Sequence, residues 1–330
     1  MKQINVVATI KLDDRAAWQI TDISKRIKLI DAAGPAQREQ EGDAAARRQM
    51  DSLLSDAEVI YGFRLPRNVI ARAPRLKWIQ VMAAGVDRYL TDEILRSRVT
   101  VTNVSGIHAT TIGEFVMGLM LMFVKRSDMC FQLKQQKRWQ PFNPGILKGK
   151  TVGIVGLGNI GREVARLSKA FGMIVIATRR SAHEGQKSKN VDKVFAPGRI
   201  DGLLASSDFV VLTLPLTAQT LHIVGEAQLR SMKPTAYLVN IARGNIVDEK
   251  ALVRALKKKW IAGAGLDVFE EEPLPSDSPL WELPNVIFSP HVAGGMENYI
   301  EQTNGVFCEN LVRYLNKRKL LNVVNKKHGY

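Results

Sequence analysis

One stretch limits the architecture more than any other: Thr151-Val152-Gly153-Ile154-Val155-Gly156-Leu157-Gly158-Asn159-Ile160-Gly161. An apolar run with β-branched residues leads into Gly-x-Gly-x-x-Gly, and an Arg/Glu/Lys-rich amphipathic segment follows. Strand, glycine turn and helix in that order are what a dinucleotide pyrophosphate needs. Gly156 allows the tight turn, Gly158 lets the main chain approach the phosphates, and Gly161 lets helix and strand pack closely. The helix start, with Asn159 and Ile160, brings backbone N–H donors to the anion. Glycines also mark ordinary turns; the flanking strand and helix make this pattern specific.

From Thr151 onward the pattern is strict βα repetition. Strands are expected at Thr151–Val155, Met173–Thr178, Phe209–Leu214, Ala236–Ile241, Gly263–Val268 and Val286–Ser289. Helical segments at Gly161–Phe171, Ile200–Ser206, Gly225–Ser231 and Asp248–Lys258 separate most of them. Apolar strands alternating with helices indicate a parallel, doubly wound sheet buried on both faces. Ligands of such sheets sit beyond the carboxyl ends of the strands.

The first hundred or so residues read as a second α/β unit. Met1–Val7 looks like the start of a strand, with Val6–Ile10, Ala57–Gly62, Leu76–Val81 and Val99–Val104 as strand candidates. Asp14–Asp31 and Gln40–Leu54 are helix-compatible connections. Ala83–Asp87, after the third candidate, is a small glycine-containing loop able to aim backbone N–H groups at a carboxylate, or a plain turn. Ile107–Arg126 is a long helix whose methionines suit packing or a subunit interface. Phe131–Gly149 reads as a polar connecting arm, Asn298–Asn316 as a final helix and Leu320–Val324 as a short apolar tail.

Composition narrows the class. At 330 residues, 45% hydrophobic and 24% charged, the chain has enough material for two globular domains. The most apolar stretch, Phe115–Val124, is too short to span a bilayer. Cys130 and Cys308 are isolated, with no metal, redox or disulfide spacing. A cytoplasmic protein with no membrane segment and no metal is expected. The net charge of +15 is spread over many segments, with clusters at Lys257–Lys259 and Lys317–Lys319 near helix ends. That placement complements helix dipoles and attracts small anions, and does not form a nucleic-acid surface.

Polar groups follow several strands. Arg179-Arg180-Ser181 stands where an acid normally takes the ribose 2′-hydroxyl, and two arginines and a serine suit a 2′-phosphate instead. NADP(H) is therefore expected over NAD(H), which stays possible. Asn240-Ile241-Ala242-Arg243-Gly244 places a guanidinium just after a strand, able to clamp a carboxylate and polarise a carbonyl. Asp267–Pro273 supplies the acids Asp267, Glu270, Glu271 and Glu272 after the next strand. Ser289-Pro290-His291 supplies an imidazole after the last, able to donate and accept a proton near neutral pH. A nearby carboxylate would favour the imidazolium, fit to protonate a carbonyl as hydride arrives. Taken singly, each is also an ordinary surface or packed residue. His108, His183, His222 and His328 lack this setting and read as structural or surface residues.

Taken together, Gly156–Gly161, Leu214-Pro215-Leu216-Thr217, Asn240–Asp248, Gly265–Pro273 and Leu280-Trp281 through His291 resemble the D-isomer-specific 2-hydroxyacid dehydrogenase family. The resemblance runs through almost the whole chain from Leu76. It implies a Rossmann-type doubly wound nucleotide domain, 103–291, inserted in a smaller flavodoxin-like α/β substrate domain, 1–102 and 292–330. It also implies a homodimer built by the nucleotide domains. By position, Arg243 binds the substrate carboxylate and keto oxygen, His291 is the acid/base, and Glu272 is its partner. The choice falls on Glu272 because the family's acid immediately precedes the proline. Asp267 is similar to the residue near the nicotinamide carboxamide, and Pro215, Thr220, Ile241 and Ala242 fall in cofactor-lining loops. Ala84, Gly85 and Val86 become a backbone site for the substrate carboxylate. Arg179 departs from the NAD-type members and is similar to NADP-preferring reductases.

The implied reaction is NADPH-dependent reduction of a small 2-keto acid, with glyoxylate or hydroxypyruvate foremost. Oxidation of phosphoglycerate or of a larger D-2-hydroxy acid is the alternative within the family. A corepressor-like protein that senses dinucleotide is the alternative outside enzymology.

Overall fold

The computed structural model describes residues 3–183 and 185–330; Met1 and Lys2, at the start of the expected first strand, lie outside them. The chain divides into two compact units, Met1–Ile107 with Met296–Tyr330, and His108–Gly295. The crossing points fall a few residues beyond those read from the sequence, for a local reason. Asn103 and Val104 still bond within the first unit, to the Asn322 and Ala83 carbonyls. The loop after His291 bonds within the second, to Asp267.

The first unit holds five parallel strands, β1 (Ile4–Ala8), β2 (Ile27–Asp31), β3 (Val59–Gly62), β4 (Trp78–Val81) and β5 (Thr100–Thr102). Their order is β2-β1-β3-β4-β5, that of a flavodoxin-type sheet. β3 and β4 are buried along their whole length, which is why their apolar runs stand out in the sequence. β2 corrects the expected Asp14–Asp31 helix, which ends at Asp22. As an edge strand only Ile27 is fully buried, so β2 has no continuous apolar run to announce it. The terminal helix Tyr299–Leu315 lies on this sheet, stacking Phe307 on Tyr61 with ring centroids 4.0 Å apart. A buried polar chain ties it down. Asn310 and Thr102 both donate to Gln80 Oε1, at 3.1 and 2.8 Å, and the Trp78 indole donates to Thr102 Oγ1. With every member bonded, such a network orders the core without leaving an unpaired group.

The second unit holds seven parallel strands, β6 (Thr151–Val155), β7 (Ile174–Thr178), β8 (Lys193–Phe195), β9 (Phe209–Leu212), β10 (Tyr237–Asn240), β11 (Gly263–Leu266) and β12 (Val286–Phe288). Their order, β12-β11-β10-β9-β6-β7-β8, turns back on itself at the β6/β9 boundary. This is the doubly wound topology, with the ligand crevice at that switch point. Helices cover both faces. Asn159–Ala170 buries Gly161, Val164, Ala165 and Ser168, one stripe at helical spacing. Glu249–Lys257 buries Ala251, Leu252, Ala255 and Leu256, and Asp248 caps it by accepting from the Ala251 amide at 2.9 Å. In the helix Ala109–Val124, Met117 and Met120 are buried in the unit's own core. A further helix, Ser127–Gln135, takes the start of the segment expected to be an irregular arm, and buries none of its residues. Among the described residues no helix is long and apolar enough to cross a membrane.

Candidate active site

The glycine loop sits at the switch point. Gly156 has φ +106°, a backbone region that L side chains rarely adopt. Its N–H donates to Thr178 O at 2.9 Å, and its carbonyl accepts from the Thr213 hydroxyl. A Cβ on Gly161 would lie 2.1 Å from the Gly156 carbonyl oxygen, so only glycine lets the Asn159–Ala170 helix start this close to β6. A Cβ on Gly158 would meet nothing within 4 Å. The space over the main chain there is open at the start of a twelve-residue helix, where a pyrophosphate fits. Asn159 and Ile160 begin that helix.

Because Gly156 bonds to the last residue of β7, Arg179 stands beside the glycine loop. Arg179 is half-buried, Arg180 and Ser181 are exposed, and the Ala182 amide donating to Arg179 O closes the turn. On the other side of the loop, the segment after β9 is held by one hydroxyl. Thr220 Oγ1 donates to Pro215 O at 2.7 Å and accepts from the Thr217 amide at 2.8 Å.

Three neighbouring strands then bring the chemistry together. Asn240 of β10 is in register with Leu266 of β11, which is in register with Phe288 of β12. Arg243, Glu272 and His291 each follow one of these strand ends. Ile241 and Ala242 are buried, and the Asn240 side chain braces the turn, donating to Arg243 O and accepting from the Ala242 amide. Arg243 itself donates to the Ala242 carbonyl at 2.7 Å. Gly244 is indispensable here, because a Cβ would lie 1.9 Å from the Phe269 carbonyl carbon. The Arg243 turn is thus pressed against the strand end that leads to Glu272.

Glu272 Oε2 lies 2.8 Å from His291 Nδ1, and its Oε1 accepts from the Phe269 amide at 3.1 Å. With the carboxylate as acceptor, Nδ1 is the nitrogen that carries the hydrogen of this bond, and Nε2 is the ring nitrogen not engaged by it. Both side chains are part-exposed, at 42% for His291 and 34% for Glu272. His291 has φ 55°, an uncommon conformation for a residue with a side chain, and the surroundings enforce it. Asp267 is buried and accepts three hydrogen bonds, from Ser289 Oγ at 2.6 Å and from the Val292 and Ala293 amides. His108 braces the far side of the loop, 3.0 Å from the Gly294 carbonyl. Burial holds the His108 imidazole below its ordinary pKa, against the opposing pull of that carbonyl.

The sequence did not reveal the supporting residues. Thr213, Asn240, Gly244 and Ser289 act through contacts made only on folding, though Gly244 follows the arginine directly. His222, read as structural or surface, lies 2.8 Å from Glu270. In the first unit, the expected carboxylate loop is anchored by the Asn103 side chain donating to Ala84 O at 2.7 Å, with Val86 buried. Among the described residues no cluster of His, Cys, Asp and Glu could hold a metal ion.

Comparison with known proteins agrees with this geometry. The sequence profile of the D-isomer specific 2-hydroxyacid dehydrogenase NAD binding domain matches residues 117–293. A glyoxylate reductase of Korarchaeum cryptofilum is 38% identical over 285 residues, 84% of this chain and 82% of that protein. One from Thermococcus gammatolerans is 38% identical over 289 residues, 85% and 84% of the two chains. Among solved structures, a D-isomer specific 2-hydroxyacid dehydrogenase from Xanthobacter autotrophicus in complex with NADPH and MES superposes with TM-score 0.84. It is 28% identical and covers 100% of both chains. The NADPH-dependent glyoxylate/hydroxypyruvate reductase of Sinorhizobium meliloti, in complex with NADP and sulfate, superposes at 0.83 with 26% identity, covering 99% and 100%. With a nicotinamide dinucleotide fold, an arginine and a histidine–carboxylate pair at adjacent strand ends, the chain belongs to the D-isomer-specific 2-hydroxyacid dehydrogenase family.

Proposed function

We propose that the protein reduces a small 2-keto acid, glyoxylate or hydroxypyruvate, with NADPH as the reductant. The observation that carries this reading is the Glu272–His291 pair at 2.8 Å, which bridges the ends of β11 and β12 beside the β10 end that leads to Arg243. Bound NADPH supplies a hydride to the keto carbon. Arg243 holds the carboxylate and draws charge onto the keto oxygen. His291 delivers the Nε2 proton to that oxygen, and Glu272 stabilises the ring through the transfer. Asp267 serves this step by fixing the loop that carries His291. We assign Ala84, Gly85 and Val86 to the substrate carboxylate through their amides.

The cofactor is assigned to Gly156, Gly158, Asn159, Ile160 and Gly161 for the pyrophosphate, and to Pro215, Thr220, Ile241 and Ala242 along its length. Arg179, Arg180 and Ser181 take the 2′-phosphate, and two structural neighbours were solved with NADPH or NADP. The active form is assigned as a homodimer through the second unit. The helix Ser127–Gln135 buries nothing, and Trp139 beyond it is 97% exposed, an apolar surface that a second copy would cover.

Steady-state NADPH oxidation, measured against glyoxylate, hydroxypyruvate, pyruvate and a bulky 2-keto acid, tests the reading. The small acids are expected to turn over fastest, and NADPH to be preferred over NADH. Arg179→Asp should weaken NADPH by roughly tenfold or more, because it replaces a charge-assisted hydrogen bond to the phosphate with a repulsion. NADH binding should be unharmed. No turnover with any keto acid overturns the reading. A parent enzyme preferring NADH overturns the assignment of Arg179.

A further inference from the structure

We propose that Glu270 is a positioning residue for the acid/base pair, locking the loop that holds Glu272 against His291. It rests on the reading of Glu272 and His291 given above. At the start of the loop Phe269–Glu272 the buried Phe269 packs edge-on against Phe288, and its amide donates to Glu272 Oε1, which sets the glutamate's rotamer.

Glu270 ties the exposed part of the loop to the neighbouring helix start. Its amide donates to Glu249 Oε2 at 3.1 Å, and its own Oε1 accepts from the Glu249 amide, also at 3.1 Å. The two glutamates thus exchange hydrogen bonds reciprocally, each side chain taking the other's backbone N–H. Glu249 opens the Glu249–Lys257 helix, whose first amides lack intrahelical partners and whose dipole favours an anion. His222 Nε2 lies 2.8 Å from the same Glu270 Oε1, a second contact on that carboxylate. Burial first, and then the charges of Glu270 and Glu271 against the opposing Glu270 amide, hold the Glu249 carboxyl above its ordinary pKa.

His222 is not an isolated donor. Its amide bonds to Asn245 O at 2.8 Å, two residues beyond Arg243, and it follows the Thr220-stapled loop assigned to the cofactor. Glu270 therefore meets three segments at once: the cofactor loop, the Arg243 turn through His222, and the helix start at Glu249. None of its contacts reaches a reacting atom. Its effect on the reaction runs through the position of Glu272, and small displacements of a catalytic group are costly.

The test compares Glu270→Ala with Glu270→Gln in the full-length enzyme. Activity is followed with NADPH and glyoxylate, NADPH affinity by nicotinamide fluorescence, and folding by thermal melting. Alanine removes the acceptor for Glu249 and His222, whereas glutamine keeps an Oε1 in place. Glu270→Ala is expected to lower kcat on the order of ten- to a hundredfold, with NADPH affinity and glyoxylate KM within about threefold of the parent. Glu270→Gln should restore most of the loss. His222→Ala, which removes one of the two donors, should fall between the parent and Glu270→Ala. Unchanged kcat in Glu270→Ala overturns the proposal, as does a loss that glutamine fails to restore or that merely tracks the unfolded fraction. A parent enzyme without turnover overturns the functional reading instead, and this proposal with it.

Discussion

Replacing His291 with glutamine is expected to lower kcat by about 10³-fold, within the 10²–10⁴ range of general acid–base catalysis, while NADPH still binds. The reason lies in the division of labour within the ring. Nδ1 is committed to Glu272 at 2.8 Å, and the proposed mechanism uses Nε2 as the proton donor. Glutamine is close in size and can keep a hydrogen bond to Glu272, but it has no proton to give near neutral pH. The loop should stay in place, since it is held by Asp267 through the Val292 and Ala293 amides and not by the histidine side chain. The proposed cofactor site, the glycine loop and Arg179, stands at other strand ends of the same sheet. Stopped-flow fluorescence for NADPH binding, together with single-turnover absorbance for hydride transfer, separates the two effects. A variant that retains most of the parent's single-turnover rate would show that another group supplies the proton.

The second large effect is at Arg243. Arg243→Ala is expected to lower kcat/KM by roughly 10³-fold, about 4 kcal/mol of transition-state stabilisation. Part of this is ground-state binding of the carboxylate and appears in KM. Part is charge stabilisation at the keto oxygen and appears in kcat. Arg243→Lys keeps the charge but loses the planar fork, so it should recover KM more than kcat. The turn itself should survive both changes, because the Asn240 side chain and Gly244, not the guanidinium, define its path. Steady-state kinetics over a wide glyoxylate range checks this. Equal recovery of both parameters by lysine would mean that the arginine acts as a point charge alone.

How much of this was legible in the chain depends on what each residue does. The buried strands of the second unit were readable because β6, β9, β10 and β11 are apolar along nearly their whole length. The glycine loop was readable because its constraints are local: a positive φ at Gly156 and a missing Cβ at Gly161 leave their mark on residue type. The edge strands β2 and β8 escaped, one half-exposed and the other a Lys-Val-Phe segment with only two buried residues. Arg243, Glu272 and His291 were nameable from chemistry and family resemblance, but the side-by-side placement of their strand ends depends on the parallel register of β10, β11 and β12. The supporting shell was illegible altogether. The resemblance places Asp267 near the nicotinamide carboxamide, yet folding buries it and spends its carboxylate on three donors around the His291 loop. His222 and Glu270 are far apart in sequence and unremarkable singly, and only the tertiary fold joins them.

In the proposed reaction, hydride passes from the nicotinamide to a keto carbon held by Arg243 while His291 protonates the oxygen. The most direct measurement follows the hydride itself. Hydroxypyruvate is reduced with NADPH carrying deuterium at the transferable nicotinamide position, and the product is analysed by mass spectrometry and chiral chromatography. The expected product is D-glycerate with the deuterium on C2. Product without deuterium at C2, or of L configuration, would contradict the account.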